Sequence, residues 1–377
     1  MKKKIAIIGA GVAGLTLANF LKKDGKYEFK VYEKAESLPL DEGYGIQLAN
    51  NSIKILNLIG FNKIDNKSIY NPNRLDFFSI KNKKICELNL SQFNSNNAHY
   101  TTLKRSILIE FLKDDVYNQY LRFGKVIKEV SETKGKILLK FEDATNDLVD
   151  YVVGADGIFS NTRSFFEKKK NQPKFTKVIA IRSILKSKSI LDINEKNISI
   201  LMGSNSHIVI YPVNKINELN LVCILRDDRY DPNNIKKMIE KKIISQNTNL
   251  AKIFDGELKS WPLYSTPKIL PSTNRKVFYI GDAFNGFLPT LAQGANQSIE
   301  SAFELFNLIK DNKLEQPNNY FDERSKRIKI VRKRSNLNLF LFHLSSPITQ
   351  STRNFFMRTL IKREKFLNSY LGTVYKG

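Results

Sequence analysis

The stretch Ile5-Ala6-Ile7-Ile8-Gly9-Ala10-Gly11-Val12-Ala13-Gly14 joins an apolar strand to a helix through three glycines at G-x-G-x-x-G spacing. Each glycine answers a separate need: a tight turn, close approach of backbone to a pyrophosphate, and close packing of helix on strand. The helix that follows, about Ala13 to Asp24, aims its positive N-terminus at the phosphates, with Val12 and Ala13 beside them. After Asp24-Gly25 a second apolar strand, Phe29-Lys30-Val31-Tyr32, ends at Glu33, with Lys34 next to it. Glu33 falls about 20 residues past the glycines, where a carboxylate accepts the ribose hydroxyls of an adenine dinucleotide. Strand, helix, second strand and acid together predict dinucleotide binding, which a lone glycine turn would not. The same acid disfavours a 2′-phosphate. FAD or NAD fits this site; NADP does not.

At 377 residues the chain can hold two or three domains and a large core. Hydrophobic residues make up 42%, and no uninterrupted apolar run approaches the roughly 20 residues of a membrane span. The start Met1-Lys2-Lys3-Lys4 imitates a signal peptide, but the apolar part behind it is the nucleotide strand and turn, so the cytoplasm is the expected compartment. Cys86 and Cys223 form no C-x-x-C, and His99, His207 and His343 share no metal-ligand spacing, so neither a redox dithiol nor a metal is expected. The net charge of +24 is spread through a lysine-rich chain and no nucleic-acid module accompanies it. One segment concentrates charge: Arg324, Lys326, Arg327, Lys329, Arg332, Lys333 and Arg334, followed by Leu337-Asn338-Leu339-Phe340-Leu341-Phe342. Such a stretch either docks as a helix on the domain or makes weak contact with an anionic membrane surface. The periodicity of the residues after it favours docking.

Further along, Gly43-Tyr44-Gly45-Ile46-Gln47-Leu48 leads into a helix ending near Leu58, stopped by Gly60. Residues 74–90 alternate around Asn82-Lys83-Lys84 and read as a hairpin. Thr101 or Thr102 is expected to cap a helix carrying Arg105, Leu108 and Leu112. Short strands follow, ending in Tyr151-Val152-Val153-Gly154. From about 177 to 265 the pattern turns to strand alternation, with one helical stretch near 234–245, which predicts an inserted second domain. Lys276 to Ile280 is another buried strand, a helix runs from about Gly294 to Leu308, and the rest is largely helical. The expected division is a discontinuous nucleotide-binding domain (1–73, 97–176 and 276–322), a substrate domain (74–96 and 177–275) forming one sheet over the cofactor, and a C-terminal helical segment (323–377).

Gly154-Ala155-Asp156-Gly157, then Gly281-Asp282-Ala283, then Pro289 through Gln293-Gly294-Ala295-Asn296 follow the first motif in that order. Together, from residue 4 to about 310, they resemble the class A flavoprotein monooxygenases, the family of para-hydroxybenzoate hydroxylase. The chain is most similar to the branch of salicylate hydroxylase and 6-hydroxynicotinate 3-monooxygenase. Gly45-Ile46-Gln47, Arg105 with Leu108, and His207-Ile208-Val209-Ile210-Tyr211-Pro212 carry that closer likeness. The resemblance implies an α/β fold: a Rossmann-like FAD-binding domain with an inserted β-sheet substrate domain and C-terminal helices. It also implies an FAD-dependent monooxygenase that consumes NADH or NADPH and molecular oxygen, and hydroxylates a small aromatic or heteroaromatic substrate through a flavin C4a-hydroperoxide. A monomer or homodimer is expected. The absence of a second G-x-G-x-x-G fits a family in which the nicotinamide cofactor binds transiently in a groove.

A helix opening at Gly294-Ala295-Asn296 can place backbone N–H groups against the negative edge of a reduced flavin. Asp282, at a strand end, is positioned for ribityl hydroxyls, a role the resemblance assigns it; Arg105 can pair with the pyrophosphate. By resemblance alone, Asp156 hydrogen-bonds around the pyrophosphate, and Gly45 and Pro289 lie along the ring. For substrate and catalysis, His207, Val209 and Tyr211 share one strand face, with His207 and Tyr211 roughly 13 Å apart, at opposite ends of a ring-sized cavity. A phenol reacts better as its phenolate, so His207 is expected in a proton relay and Tyr211 chiefly in binding. A structural strand histidine and a core tyrosine are the equal alternative. Gln47 stands where some relatives have a histidine. Phe284-Asn285 stands where most relatives read Ala-His, which predicts an altered pocket. A reductase or dehydrogenase of the same fold and a membrane-surface quinone-precursor hydroxylase are the alternatives. A halogenase is excluded, since the only tryptophan, Trp261, lies outside any W-x-W-x-I-P motif.

Overall fold

The computed structural model describes residues 2–38, 40, 44–167, 171–186 and 191–376; Gly43 lies outside them. Lys4–Ile8 is the middle strand of a five-stranded parallel sheet, ordered Val277–Tyr279, Tyr151–Gly154, Lys4–Ile8, Glu28–Tyr32, Leu121–Arg122. It is covered on both faces, which is why its sequence is apolar without alternation. Ile5 and Ile7 pack with Leu15 and Leu17 of the helix Val12–Asp24 and with Ile299 and Ala302 of the helix Gly294–Lys310. Ala6 and Ile8 turn the other way, against Ile137, Leu139 and Phe141 of a three-stranded antiparallel sheet.

The glycines divide their labour as the spacing requires. Gly9 adopts φ +106°, and a Cβ there would stand 2.6 Å from the Ala155 carbonyl oxygen. A Cβ on Gly14 would meet the Gly9 carbonyl at 2.0 Å, so this glycine lets the helix close on the turn. A Cβ on Gly11 would meet nothing within 4 Å. Its side is open for a ligand.

The second body is a seven-stranded sheet, ordered Lys259–Ser265, Lys174–Lys186, Glu218–Arg226, Ser206–Pro212, Ile198–Gly203, Arg74–Ser79, Lys84–Asn89. All neighbours are antiparallel except Ile198–Gly203 with Arg74–Ser79, which run parallel. The hairpin thus joins this sheet through a pairing more than a hundred residues away. One face of the sheet buries Ile208, Ile210, Leu221 and Cys223 against the helix Ile235–Lys242 and the turn Thr248–Ile253. The other face carries His207, Val209 and Tyr211 into a cavity. Strand Lys174–Lys186 begins before the change of pattern at 177, because Lys177 at φ 59° breaks its alternation at a register shift.

Two expectations change, and a third, the docked basic helix, gains its contacts. Thr101 and Thr102 cap no helix: Thr101–Lys104 is a strand paired with Gly45–Leu48, and the buried Thr102 hydroxyl donates to the Pro212 carbonyl at 2.5 Å. Phe284 does not line the cavity. It is buried against Tyr320 and Phe321 on the far side, where the C-terminal helix offers an aromatic wall. The basic segment lies in the helix Pro317–Phe342, and its arginines point inward. Arg324 is fully buried against Glu300 and Glu304, and Arg327 takes both Glu300 oxygens at 2.6 and 2.9 Å. Arg332 and Arg334 donate to the carbonyls of Pro267 and Ser369. Lys326, Lys329 and Lys333 face solvent. Among the described residues no helix is long and apolar enough to cross a membrane.

Gly14→Ala is expected to destabilise the protein by about 1–3 kcal/mol, since helix and turn must separate to admit one methyl group. Gly11→Ala is expected to stay within about 0.5 kcal/mol. Denaturant unfolding of both variants checks the contrast; equal stabilities would contradict the division of roles.

Candidate active site

Two cavities collect most of the residues singled out by sequence. The first, of about 250 Å³, is lined by Gly9, Gly11, Glu33, Lys34 and Asp156, with Lys125 at its side. Glu33 accepts from the Ala10 amide at 2.9 Å and from the Ala35 amide at 3.0 Å, one bond to each carboxylate oxygen. Each oxygen retains a lone pair, so the group can hold the glycine turn and still receive hydroxyl donors. The Asp156 carboxylate is committed locally. It accepts from the Ser160 hydroxyl at 2.5 Å and from the Thr162 amide and hydroxyl at 2.9 and 3.0 Å, at the start of the helix Asn161–Phe166.

The second cavity, of about 220 Å³, lies between the two bodies, and Gly45, Gln47, His207, Tyr211, Pro289, Gly294 and Ala295 all line it. Gly45 must be a glycine: a Cβ would stand 2.6 Å from Val213 and 2.8 Å from the Tyr211 ring. The helix Gly294–Lys310 begins with no side-chain cap, which leaves its first amides open toward the cavity. Asn296 lines neither cavity. Its side chain is fully used, donating to the Gln47 and Ala292 carbonyls and accepting from the Ala49 amide and the Ser52 hydroxyl. Only its backbone remains for a ligand. Val12, Ala13 and Gly14 pack beneath the first turn, and Arg105 opens the helix Arg105–Asp114 with its amide on the Tyr44 carbonyl at 2.8 Å.

Asp282 follows Gly281, whose φ of +58° and crowding against Ala13 and Ser298 bring the strand end up to the start of the first helix. Among the described residues nothing hydrogen-bonds the Asp282 carboxylate. It is open to solvent in a cleft, yet so much protein surrounds it that burial pushes its pKa up to about 6.

Polar groups stand at both ends of the second cavity. Tyr100 donates to Gln47 Oε1 at 2.8 Å, and Gln47 also bonds the Tyr211 hydroxyl. Burial holds both phenols well above their ordinary range. At the other end His207 Nδ1 lies 2.8 Å from His343 Nε2, a partner the sequence did not suggest. A second unforeseen residue is Arg182. It lines the cavity, its guanidinium stands 5.8 Å from the Trp261 ring, its Nε is buried without a partner, and no ion pair engages it among the described residues. An arginine within the apolar run Val178-Ile179-Ala180-Ile181-Arg182 was the available signal.

The sequence profile of a family described as an FAD binding domain matches residues 2–312. The chain belongs to that family, the one of the class A flavoprotein monooxygenases. It is 26% identical to a 3-amino-4-hydroxybenzoate 2-monooxygenase of Streptomyces platensis, over 95% of this chain and 93% of the relative. It is 24% identical to a 6-hydroxynicotinate 3-monooxygenase of Pseudomonas fluorescens, over 82% and 83%. The fold matches that of Klebsiella pneumoniae HpxO complexed with FAD and uric acid, with a TM-score of 0.86 at 16% identity, covering 100% of this chain and 97% of that one. The residues present fit FAD on three counts: an unpartnered carboxylate at Asp282, open space at Gly11 and Gly294, and two uncapped helix starts at the two ends of the site. This flavoprotein monooxygenase would hold the adenosine end by Glu33 and the first glycine turn, the ribityl chain by Asp282, and the ring by the Gly294 helix start.

Glu33→Ala and Asp282→Ala are each expected to lower FAD affinity about ten- to a hundredfold, the worth of lost charge-assisted hydrogen bonds of roughly 1.5–3 kcal/mol. Because the Asp282 pKa is raised, its carboxylate is an acceptor above about pH 6 and protonates as pH falls through that value. FAD affinity should therefore weaken below about pH 6, and Asp282→Asn should flatten that dependence. Flavin fluorescence titration from pH 5 to 8 checks it; an identical pH profile in wild type and Asp282→Asn would remove Asp282 from the site.

Proposed function

We propose that this enzyme hydroxylates a small phenolic or hydroxylated heteroaromatic carboxylate, taking reducing equivalents from NADH or NADPH. The observation that carries the reading is Arg182, a guanidinium in the cavity wall with no anionic partner among the described residues. A cation left so beside an apolar cavity suits a carboxylate, which it can grip by two parallel hydrogen bonds. The substrates in the names of the two curated relatives, 3-amino-4-hydroxybenzoate and 6-hydroxynicotinate, are ring acids of this kind.

Bound FAD would supply hydride acceptance and oxygen activation; the protein supplies position and dryness. Leu75, Phe77, Val209, Val222 and Ile224 form an apolar waist that excludes water from the reacting ring. Arg182 fixes the carboxylate, and the Tyr100–Gln47–Tyr211 chain offers hydrogen bonds to ring substituents. His207, at the far end, takes the phenolic proton so that the ring reacts as its anion. With FAD bound, the amides that open the Gly294 helix would oppose negative charge on the ring with their dipoles.

A panel of hydroxybenzoates and hydroxypyridine carboxylates, each beside its uncharged amide, should show oxygen uptake matched to NADH or NADPH oxidation for the acids alone. Arg182→Met should raise KM for the active acid about ten- to a hundredfold. Equal turnover of acid and amide would overturn the carboxylate assignment. His207→Phe should keep flavin and lose at least about a hundredfold in hydroxylation, with hydrogen peroxide replacing product. Tight coupling at the wild-type rate would return His207 to a structural role.

A further inference from the structure

Half of the large apolar side chains that stand exposed among the described residues, six of twelve, lie between Ile330 and Phe356. Ile330, Leu337 and Phe340 belong to the outer side of the helix Pro317–Phe342; Ile348, Phe355 and Phe356 belong to the next helix, Pro347–Leu360. That second helix is already docked by its inner side. Its buried Arg353 donates to the Leu341 carbonyl at 3.1 Å and Arg358 Nε donates to the Ile85 carbonyl at 3.1 Å. Met357 and Ile361 pack on the cluster that holds Phe77 and Ile85. Ile348, Thr352, Phe355 and Thr359 recur at helical spacing on the opposite side, with Phe356 beside them. Ile348 is 78% exposed, Phe355 64% and Phe356 54%, and the two phenylalanine rings meet edge to face with centroids 5.8 Å apart. Packing within the chain leaves this side of the helix uncovered, and exposed apolar groups gathered in one place mark a contact surface.

The charge around this face has one sign. From Arg324 to Arg363 the chain carries eleven lysines and arginines and no aspartate or glutamate. Arg324, Arg327, Arg332, Arg334 and Arg353 turn to partners within the protein. Lys329, Lys333, Arg358, Lys362 and Arg363 are exposed, and no carboxylate pairs with any of them among the described residues. The acids next in sequence, Glu323 and Glu364, stand at the two borders of the segment. We infer that the outer face of Pro347–Leu360 rests on an anionic lipid bilayer. Ile348, Phe355 and Phe356 enter the boundary between headgroups and acyl chains, and Arg358, Lys362 and Arg363 meet the lipid phosphates. This contact is independent of which acid the cavity takes.

A second copy of this chain answers the face less well. Two-fold packing sets such a patch against its own like, so unpaired cations would meet cations with no acid between them. Single-stranded nucleic acid would answer the cations but leave Ile348 bare in water, since stacking needs rings. A bilayer of anionic lipid supplies both things the face lacks, apolar cover for the rings and negative charge for the cations, within the short depth from headgroup to acyl chain. The helix has 14 residues, about 21 Å, with its free cations at and just past its end. That length and that one-sided apolar face suit a helix lying in the interface plane, and among the described residues no helix is long and apolar enough to cross a membrane.

The test uses the FAD-loaded full-length protein and sedimented vesicles of phosphatidylglycerol and phosphatidylcholine in equal parts, beside vesicles of phosphatidylcholine alone. Wild type is expected to bind the mixed vesicles at least about tenfold more tightly than the neutral ones, and to lose that advantage as salt screens the charges. Phe355→Ser/Phe356→Ser should bind the mixed vesicles at least about tenfold more weakly, and so should Lys362→Gln/Arg363→Gln, the first for lost apolar area and the second for lost charge. All four side chains are exposed, so flavin content and thermal unfolding should match wild type. Phe356→Trp adds a reporter that removes no apolar group. Its fluorescence should shift to the blue on the mixed vesicles and be quenched by brominated phosphatidylcholine in them, while the half-buried Trp261 of wild type shows neither change. Equal binding to both vesicles, undiminished binding by Phe355→Ser/Phe356→Ser, or an unquenched Phe356→Trp overturns the membrane contact. A concentration-dependent dimer that Phe355→Ser/Phe356→Ser abolishes, without vesicle binding, overturns it in favour of a second copy. Binding of a single-stranded oligonucleotide in place of vesicles overturns it in favour of nucleic acid.

Discussion

One buried amide holds the two halves of this site in register. Asn296 donates to the Gln47 and Ala292 carbonyls and accepts from the Ala49 amide and Ser52, so its side chain spends its hydrogen-bonding capacity inside the protein. That clamp fixes the open start of the Gly294 helix beside the strand Gly45–Leu48. The same helix carries Glu300 one face below, where Arg324 and Arg327 converge on it, and Arg327 continues to the carbonyls of Thr373 and Val374. The next residue, Tyr375, is part of the cavity wall. A single helix therefore ties together the ring end of the cofactor site, the flank of the cavity and the C-terminal segment that closes it. Removing one member of so buried a charge group would strand its partner without water, which is why such networks tolerate loss poorly.

The cavity itself is built by period two. Alternate residues of Ser206–Pro212 send Ile208 and Ile210 to the core of the substrate sheet and His207, Val209 and Tyr211 to the cavity. The result is an apolar waist between two polar ends, a phenol and amide chain at one and an imidazole pair at the other. Arg182 comes from the neighbouring part of the sheet, opposite Val222. The polar groups that would touch a substrate stand mostly on strands locked by long antiparallel ladders, which suits chemistry that must hold a ring and keep water out.

What was legible in the sequence was what is settled locally. The first strand, turn and helix follow from contacts between residues no more than a few positions apart, and Gly9 and Gly14 show the steric reason for each glycine. The hairpin 74–90 was legible as a hairpin, since turn and alternation are also local. Thr101 and Thr102 misled because a threonine before an amphipathic run reads as a cap, while the pairing with Gly45–Leu48 that makes them strand comes from far along the chain. His343 was out of reach for the same reason. No spacing rule joins residues 136 apart. The basic segment was different: Arg324, Arg327 and Arg334 recur at helical spacing on one face, and Lys326, Lys329 and Lys333 fall on others. Arginine is the cation suited to buried bidentate pairing and lysine the one kept hydrated, which accounts for the split between faces that the sequence reading, taking the charges together, did not draw.

The departures from the family pattern fall into place once the geometry is known. Phe284, which threatened the pocket on paper, turns into an aromatic cluster behind the sheet and does not line the cavity. Gln47 is the departure with consequence. It stands at the cavity where some relatives carry a histidine, and an amide can only bridge Tyr100 and Tyr211; it cannot gain or lose a proton near neutral pH. Burial raises both of those phenols far above neutrality as well. His207 is the imidazole lining this cavity; burial holds it below its ordinary range, and its ring is backed by a second imidazole rather than by a carboxylate. A carboxylate would favour a lasting imidazolium. A second neutral imidazole gives no such support, so burial keeps both rings uncharged in this apolar wall.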